Sequence, residues 1–249
     1  IYCYAIEPPT IESGTFSNEY VYLYVPIESM DAYKNAPHWD RLQFINKYFV
    51  DGICYGVIST TEADVSGCLE EDYNYSGHII IPETVVIEGL TLNVTSIGEE
   101  AFWSSENITE VTIPNSVVSI DNYAFSSCEG LITITLGEKV NNIGEEAFID
   151  CQRIKNIYVY NEAPPTICNN TFEVYVNDAA TLYVPAGCKN VYSEARYWKY
   201  FVNIKEMGIA ESITLDKTEV KLKVNETVTL TATILPETTI NKEVVWSSS

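Results

Sequence analysis

Three consecutive segments align without gaps at a spacing of 23 residues: VTSIGEEAFWSSENITEVTIPNS, VVSIDNYAFSSCEGLITITLGEK and VNNIGEEAFIDCQRIKNIYVYNE. Ile97, Ile120 and Ile143 coincide, as do Ala101, Ala124 and Ala147, then Phe102, Phe125 and Phe148. Ile108, Leu131 and Ile154 follow, with Val111, Ile134 and Ile157 after them, and a looser fourth copy runs through Ile167 to Phe172. Apolar columns recurring at a fixed short period belong to units that cannot bury their own face and must stack on their neighbours. Val111-Thr112-Ile113 and Ile134-Thr135-Leu136 alternate apolar and polar, the pattern of half-buried strands. Stacked as parallel strands ~4.8 Å apart, each apolar residue meets its own copies. The Ala-Phe pair falls on a turn or short helical return, where Ala permits close approach and Phe fills the coil. The period therefore predicts a mainly β chain wound as a β-solenoid.

A second, longer repeat brackets the first. Residues 1–45 match 157–204: Pro8-Pro9-Thr10-Ile11 with Pro164-Pro165-Thr166-Ile167, Phe16 with Phe172, and Tyr24-Val25-Pro26 with Tyr183-Val184-Pro185. Tyr33/Tyr192, Trp39/Trp198 and Ile45/Ile204 complete the match. Each copy reads as a final coil, a strand, a Pro break, a short helix and an aromatic plug. A stacked array exposes its core at the last coil, so both copies are expected to be C-terminal caps. Between them, Asp51-Gly52 flanked by apolar runs is a hairpin signal. After Met207, Val220, Leu222 and Val224 alternate, and so do Val228, Leu230, Ala232 and Ile234, with turn residues between them. That is the start of a β-sandwich, too short to close two sheets. The expected organisation is 1–47, the last coil and cap of a preceding block; 48–206, a capped solenoid with an N-terminal hairpin; and 207–249, half of a sandwich domain. The chain opens on IYCYAIEPPT and ends on VVWSSS, and reads as a fragment of a longer protein.

The IPxSVxSIGxxAFxxCxxLxxVxI pattern of residues 94–160 resembles the BspA-like leucine-rich repeats of bacterial surface proteins. The PPTI…TF…LYVP…Y…W module resembles the terminus usual in that family. SITLDKTEVKLKVNETVTLTATILPETTINKEVVWSSS is similar to the first half of a group 2 bacterial Ig-like domain. The resemblance implies a leucine-rich-repeat solenoid on a secreted or cell-surface protein of anaerobic gut or oral bacteria. It further implies adhesion through the solenoid, Ig-like modules as spacers, and no catalytic residues to carry over. Repeat two departs from the pattern with Asp121 where the others have Gly98 and Gly144, and repeat one has Ser105 in place of Cys128 and Cys151.

Composition narrows the partners. Fourteen Lys and Arg stand against 35 Asp and Glu, a formal net charge of −21. Residues 51–150 hold 18 of the acidic side chains and one basic one, Lys139. Neutralising phosphates requires clustered Lys and Arg, so nucleic acid is not expected as a direct partner and binding to anionic membranes is disfavoured. No stretch has the ~20 apolar residues of a membrane span, so no direct membrane insertion is expected within this chain. Two His rule out a His-rich metal site. Gly-rich phosphate loops, HExxH, GxSxG, CxxC and EF-hand loops are absent, so no cofactor and no enzyme activity is expected. Cys54 or Cys68 with His78 lie in one segment but lack an orienting motif. The Glu99/Glu145 and Glu100/Glu146 columns are interrupted by Asn122 and Tyr123. Their carboxylates then stand ~9.5 Å apart, too far to share a cation, and a solvated face is the better reading. Cys128 and Cys151 share a column at a spacing a disulfide could bridge. Packing as buried thiols is favoured, because stacked residues point the same way. Cys168 and Cys188, both confined to the second cap, suggest a bridge.

Tyrosine is the most suggestive functional feature. Tyr2 and Tyr4, Tyr22 and Tyr24, and Tyr158 and Tyr160 alternate with apolar residues and so face outward; before Tyr158 the same column holds Thr112 and Thr135. Glu110, Thr112, Thr133, Thr135, Tyr158 and Tyr160 form the candidate binding face, suited to broad contact and adaptable hydrogen bonding. Two readings are open for it: a recognition surface, or an ordinary strand surface of good β-formers partly covered by the cap. The leading expectation is a non-enzymatic protein that binds host or extracellular-matrix protein. A polysaccharide-binding or scaffolding module is the alternative, and a spacer or stalk the second alternative.

Overall fold

The computed structural model describes residues 1–16, 21–44, 47–67, 75–208, 212–217, 219, 221 and 227–235. Among them the protein is mainly β, and its parallel strands carry the sequence period. In the first block, β1 (Tyr22–Leu23) pairs in parallel with β2 (Gln43–Phe44), and α1 (Met30–Lys34) lies between them in the chain. The chain continues through a hairpin of β3 (Lys47–Val50) and β4 (Ile53–Val57), whose turn residues Asp51 and Gly52 both take positive φ, 48° and 85°. This is the two-residue turn that an Asp-Gly pair favours, because its twist matches that of the flanking strands. Next, β5 (Glu62–Val65) pairs antiparallel with β4.

From β6 (Ser76–Ile80) to the third 23-residue repeat the chain passes back and forth between two sheets. β7 (Thr84–Ile87) and β8 (Leu90–Ile97) form a second hairpin through Glu88-Gly89, again with both φ positive. β8, β10 (Ser119–Ile120) and β12 (Asn142–Ile143) then stack in parallel on β5. β9 (Asn107–Thr112), β11 (Thr133–Leu136), β13 (Asn156–Val159), β14 (Thr181–Val184) and β15 (Asn203–Glu206) stack in parallel on β6. Each 23-residue repeat thus supplies one strand to each sheet. The sequence pattern exposed only the strands of the second set. The two-residue strands ending in Ile120 and Ile143 are too short to show alternation.

Side-chain columns explain the stacking. Val111, Ile134, Ile157 and Leu182 lie side by side in register and are buried. At the bend between the sheets, Phe102, Phe125, Phe148 and Phe172 stack face to face with centroids 4.9, 5.2 and 5.1 Å apart. Tyr75 closes one end of the column at 4.8 Å, and Phe201 and Trp198 close the other at 5.5 and 6.1 Å. The bend needs left-handed backbone at two places per repeat: Glu100, Tyr123 and Glu146 form one column of positive φ, and Ser104, Ser127 and Asp150 the other. None is glycine, so each repeat carries strain of about 1–2 kcal/mol per such residue, offset by the burial it makes possible. Gly137 is required for another reason: a Cβ there would lie 2.8 Å from Asn115 N and closer still to the Pro114 carbonyl of the preceding repeat.

The cysteines are all thiols among the described residues. Cys128 and Cys151 are fully buried, and each Sγ donates to the carbonyl of a Phe in the repeat before, Phe102 at 3.2 Å and Phe125 at 3.1 Å. The Cys128 thiol beside it, together with burial, pushes the Cys151 thiol far above its usual range. Cys168 and Cys188 are also free thiols, so the bridge that their joint presence suggested does not form.

The two longer repeats take the same local geometry. Trp39 Nε1 donates to Pro9 O at 2.8 Å and Trp198 Nε1 to Pro165 O at 2.7 Å. Tyr33 OH donates to Ala5 O at 3.0 Å and Tyr192 OH to Asn161 O at 2.8 Å. In both blocks the Tyr stands edge-on to the Trp, at 5.0 and 5.5 Å. α2 (Val174–Ala179) and α3 (Lys189–Glu194) belong to the second copy. Of residues 207–249 the structure describes one antiparallel pair, β16 (Ser212–Leu215) with β17 (Ala232–Leu235). Val220, Leu222 and Val224 lie outside the described residues, and an Ig-like domain is not shown.

Candidate functional site

The polar faces of β6, β9, β11, β13, β14 and β15 form two outward columns. One runs His78, Glu110, Thr133, Asn156, Thr181, Asn203; the other runs Ile80, Thr112, Thr135, Tyr158, Tyr183, Lys205. Thr112, Thr135 and Tyr158 are therefore side by side, and Glu110 and Thr133 adjoin one another in the neighbouring column. Tyr160 lies two residues beyond Tyr158, just past the end of β13, on the same side by alternation. All six residues singled out by sequence share one face of three successive strands. Glu110 is exposed and the other five are half-buried.

Seven further residues of these columns were not anticipated, and four of them shape the face. Tyr183 stacks on Tyr158 with centroids 4.5 Å apart and planes 10° from parallel. The spacing from Tyr158 to Tyr183 is 25 residues rather than 23, which hid the pair from a fixed-period alignment. His78 Nε2 meets Thr112 Oγ1 at 2.8 Å, and its Nδ1 is 3.8 Å from Glu110 Oε2. Ile80, 62% exposed, begins the second column and Lys205 ends it. Burial, then the neighbouring Tyr183 and Tyr160 hydroxyls and the Glu110 carboxylate, hold the Tyr158 phenol above its usual range. Burial does the same for Tyr160. Both are neutral hydroxyls at physiological pH, able to donate as well as accept.

The first block repeats the aromatic element. Tyr2 aligns with Tyr158, Tyr4 with Tyr160 and Tyr24 with Tyr183 in sequence, and Tyr2 stacks on Tyr24 at 4.6 Å and 15°. Tyr2 and Tyr24 form a parallel bridge, as Tyr158 and Tyr183 pair between β13 and β14. Tyr2 is 66% and Tyr4 81% exposed.

The chemistry looked for elsewhere does not assemble. Cys54 is buried in β4, in one sheet, whereas His78 stands on the outer face of β6 in the other; Cys68 lies outside the described residues. Glu99, Glu100 and Glu145 are exposed, and Asn122 between them accepts from Glu145 N at 2.8 Å, so this column is a solvated turn surface. Among the described residues no cluster of three His, Cys, Asp or Glu could hold a metal ion. None of the described helices is long and apolar enough to cross a membrane.

Parallel strands with a 23-residue register, a Phe column and half-exposed polar faces define a repeat protein. The BspA type leucine-rich repeat region matches residues 83–215 in six copies, just over half of the chain. The chain belongs to that family. A stretch of 49 residues is 49% identical to an uncharacterized protein of Clostridium acetobutylicum, covering 20% of this chain and 5% of the relative. A leucine-rich repeat protein from Bacteroides capillosus ATCC 29799 is similar in structure at 30% identity and TM-score 0.46, over 56% of this chain and 99% of that one. A leucine rich cell surface protein from Faecalibacterium prausnitzii A2-165 aligns at 19% identity and TM-score 0.43, over 64% of this chain and 42% of its own. A leucine-rich repeat protein from Bacteroides ovatus ATCC 8483 aligns at 23% and 0.41, over 58% and 39%.

Proposed function

We propose that the repeats wind as a solenoid that displays the outward columns of the six-stranded sheet to a protein partner, a host or extracellular-matrix protein, on the outside of a bacterial cell. The observation that carries this reading is the stacked Tyr158/Tyr183 pair at the head of the Thr112–Thr135 column. Two rigid rings flanked by short hydroxyl side chains give a broad, amphipathic surface that loses little conformational entropy on binding. Family membership supports export and a non-enzymatic role. The 1–47, 48–206 and 207–249 division, with the last as part of an Ig-like spacer, supplies the surrounding stalk. A glycan partner is the second reading, favoured by the same ring faces, on which sugar rings could pack.

Binding of the whole chain to immobilised matrix proteins and to a glycan array tests this, alongside Tyr183→Ala and Tyr158→Ala. Removing a central aromatic anchor costs at least about 1–2 kcal/mol in a protein interface, roughly five- to thirty-fold in Kd. Retention by a matrix protein that both variants lose supports the proposal. Glycan binding without protein binding replaces it with the second reading, and protein binding indifferent to both tyrosines removes the face.

A further inference from the structure

A cavity of about 360 Å³ opens where the first block meets the repeat sheets, lined by Tyr2, Tyr4, Tyr24, Tyr48 and Glu88 together with the Cys3–Tyr24–Val25–Pro26 edge. Its rings come from two parts of the chain: Tyr2, Tyr4 and Tyr24 from the first block, and Tyr48 from β3. Glu88 sits at the tip of the β7–β8 hairpin, in left-handed backbone at φ 50°, which carries its carboxylate to the rim. Tyr48 OH donates to Glu88 Oε1 at 3.0 Å. Burial, then that hydrogen bond and charge, hold the Tyr48 phenol strongly protonated. Glu88 is the one charged residue among the described residues of the lining.

We propose that this cavity binds a quaternary ammonium group of the choline or trimethyl-lysine type. The proposal stands apart from the sheet-face reading and shares no residue with it. Aromatic faces carry negative electrostatic potential and attract cations placed over them. Tyr2 is stacked between Tyr4 at 6.5 Å and Tyr24 at 4.6 Å, so these rings act as one electron-rich wall facing Tyr48 and Glu88. With four phenol rings, one carboxylate and no basic side chain among the described residues of the lining, the cavity repels anions and favours a positive ligand. Residues 51–100, which supply Glu88, hold ten acidic side chains and no Lys or Arg, so the surrounding field has the same sign. A hard metal ion needs six or more oxygen ligands, which one carboxylate cannot provide. A primary ammonium is strongly hydrated and gains little from a mainly aromatic wall, whereas a methylated ammonium is already poorly hydrated. The volume lies at the lower end of small-ligand sites, with room for a trimethylammonium group and part of its carrier.

The test is titration of the whole chain with choline chloride and with 3,3-dimethyl-1-butanol, the neutral alcohol of the same shape, followed by tyrosine fluorescence and calorimetry. Choline should bind and the alcohol should bind at least about two- to five-fold more weakly, the size of one exposed cation–π contact. Glu88→Gln keeps a hydrogen-bond acceptor for Tyr48 and the same turn. It should weaken choline several-fold and flatten the dependence on salt, while Tyr4→Ala should weaken it about two- to five-fold. Phosphatidylcholine vesicles and a trimethyl-lysine peptide, run in the same titration, tell a lipid headgroup from a modified side chain. Equal affinity for choline and its neutral isostere, or choline binding untouched by both substitutions, overturns the proposal. So does the absence of choline binding.

Discussion

Phe125 sits at the centre of the aromatic column, fully buried, with Phe102 at 4.9 Å and Phe148 at 5.2 Å and planes 11° and 3° from parallel. Phe125→Ala removes the side chain from a site that cannot collapse, because the strands on either side are fixed by their own registers. Core Phe→Ala substitutions cost about 3–5 kcal/mol, and this position should fall in the upper half of that range. Phe125→Leu isolates the ring contribution. Leu retains most of the apolar burial but forfeits two ring pairs at about 0.5–1.5 kcal/mol each, so about 1–3 kcal/mol should be lost. If each repeat contacts only its neighbours, Leu substitutions at 125 and 148 should couple. Those at 102 and 148, roughly 10 Å apart by two strand spacings, should add within about 0.5 kcal/mol. Urea denaturation followed by far-UV circular dichroism measures all of these. A Phe125→Leu variant as stable as the parent would show that the rings serve only as filler. Coupling between 102 and 148 as large as that between 125 and 148 would refute the nearest-neighbour picture itself.

Trp198→Phe leaves the buried Pro165 carbonyl without its 2.7 Å donor and should cost about 1–3 kcal/mol, read as a fall in the urea midpoint at unchanged slope. Gly137→Ala drives a methyl into the Pro114–Asn115 backbone of the preceding repeat and should destabilise by roughly 1–3 kcal/mol; a neutral result by the same assay would mean that the coils can part freely. Asp64 is wedged between Gly56 and Gly98, and burial raises its carboxyl above the ordinary value of 3.8, opposed by the backbone N–H groups of Asp64 and Gly56 and by Lys47. The folded state then holds the proton more tightly than the unfolded chain, so ionisation of Asp64 costs stability near neutral pH and the cost fades as pH falls through the raised value. Asp64→Asn should accordingly gain stability relative to the parent at neutral pH, with the gap closing toward pH 4; a gap constant across that range would contradict this account.

The parts of the fold legible in the sequence are those where one residue type repeats at one spacing. The Phe102–Phe125–Phe148 column and the Val111–Ile134–Ile157 strand column follow from the period because identical neighbours in register demand identical side chains. The Asp51-Gly52 hairpin was legible because few residues accept two successive positive φ values. Glu88-Gly89 makes the same turn but was hidden inside a run of alternating residues. The second parallel sheet was not legible either: Ser119–Ile120 and Asn142–Ile143 are two-residue strands whose only mark is a single isoleucine. At the candidate face, alternation sets Tyr158, Thr135 and Thr112 on one side of their strands, and the register puts them next to one another. Tyr183 escaped because the second cap inserts residues between its coil and its strand, and a partner that is close in space then falls out of phase in sequence. The Tyr48–Glu88 contact joins residues 40 apart with no periodic relation, and only the packing of the hairpins brings them together.

Because each repeat adds one strand to each sheet through the same register, the array behaves as a ruler with divisions of ~4.8 Å. Inserting or deleting one 23-residue unit between Val117 and Lys139 would shift the Tyr158/Tyr183 pair by one division relative to the acidic hairpin end and leave the contacts within each remaining repeat intact. The distance between the two tyrosine stacks, Tyr2/Tyr24 and Tyr158/Tyr183, is thus a quantity that evolution can change by whole repeats without redesigning either stack. A partner with regularly spaced features could select for repeat number alone.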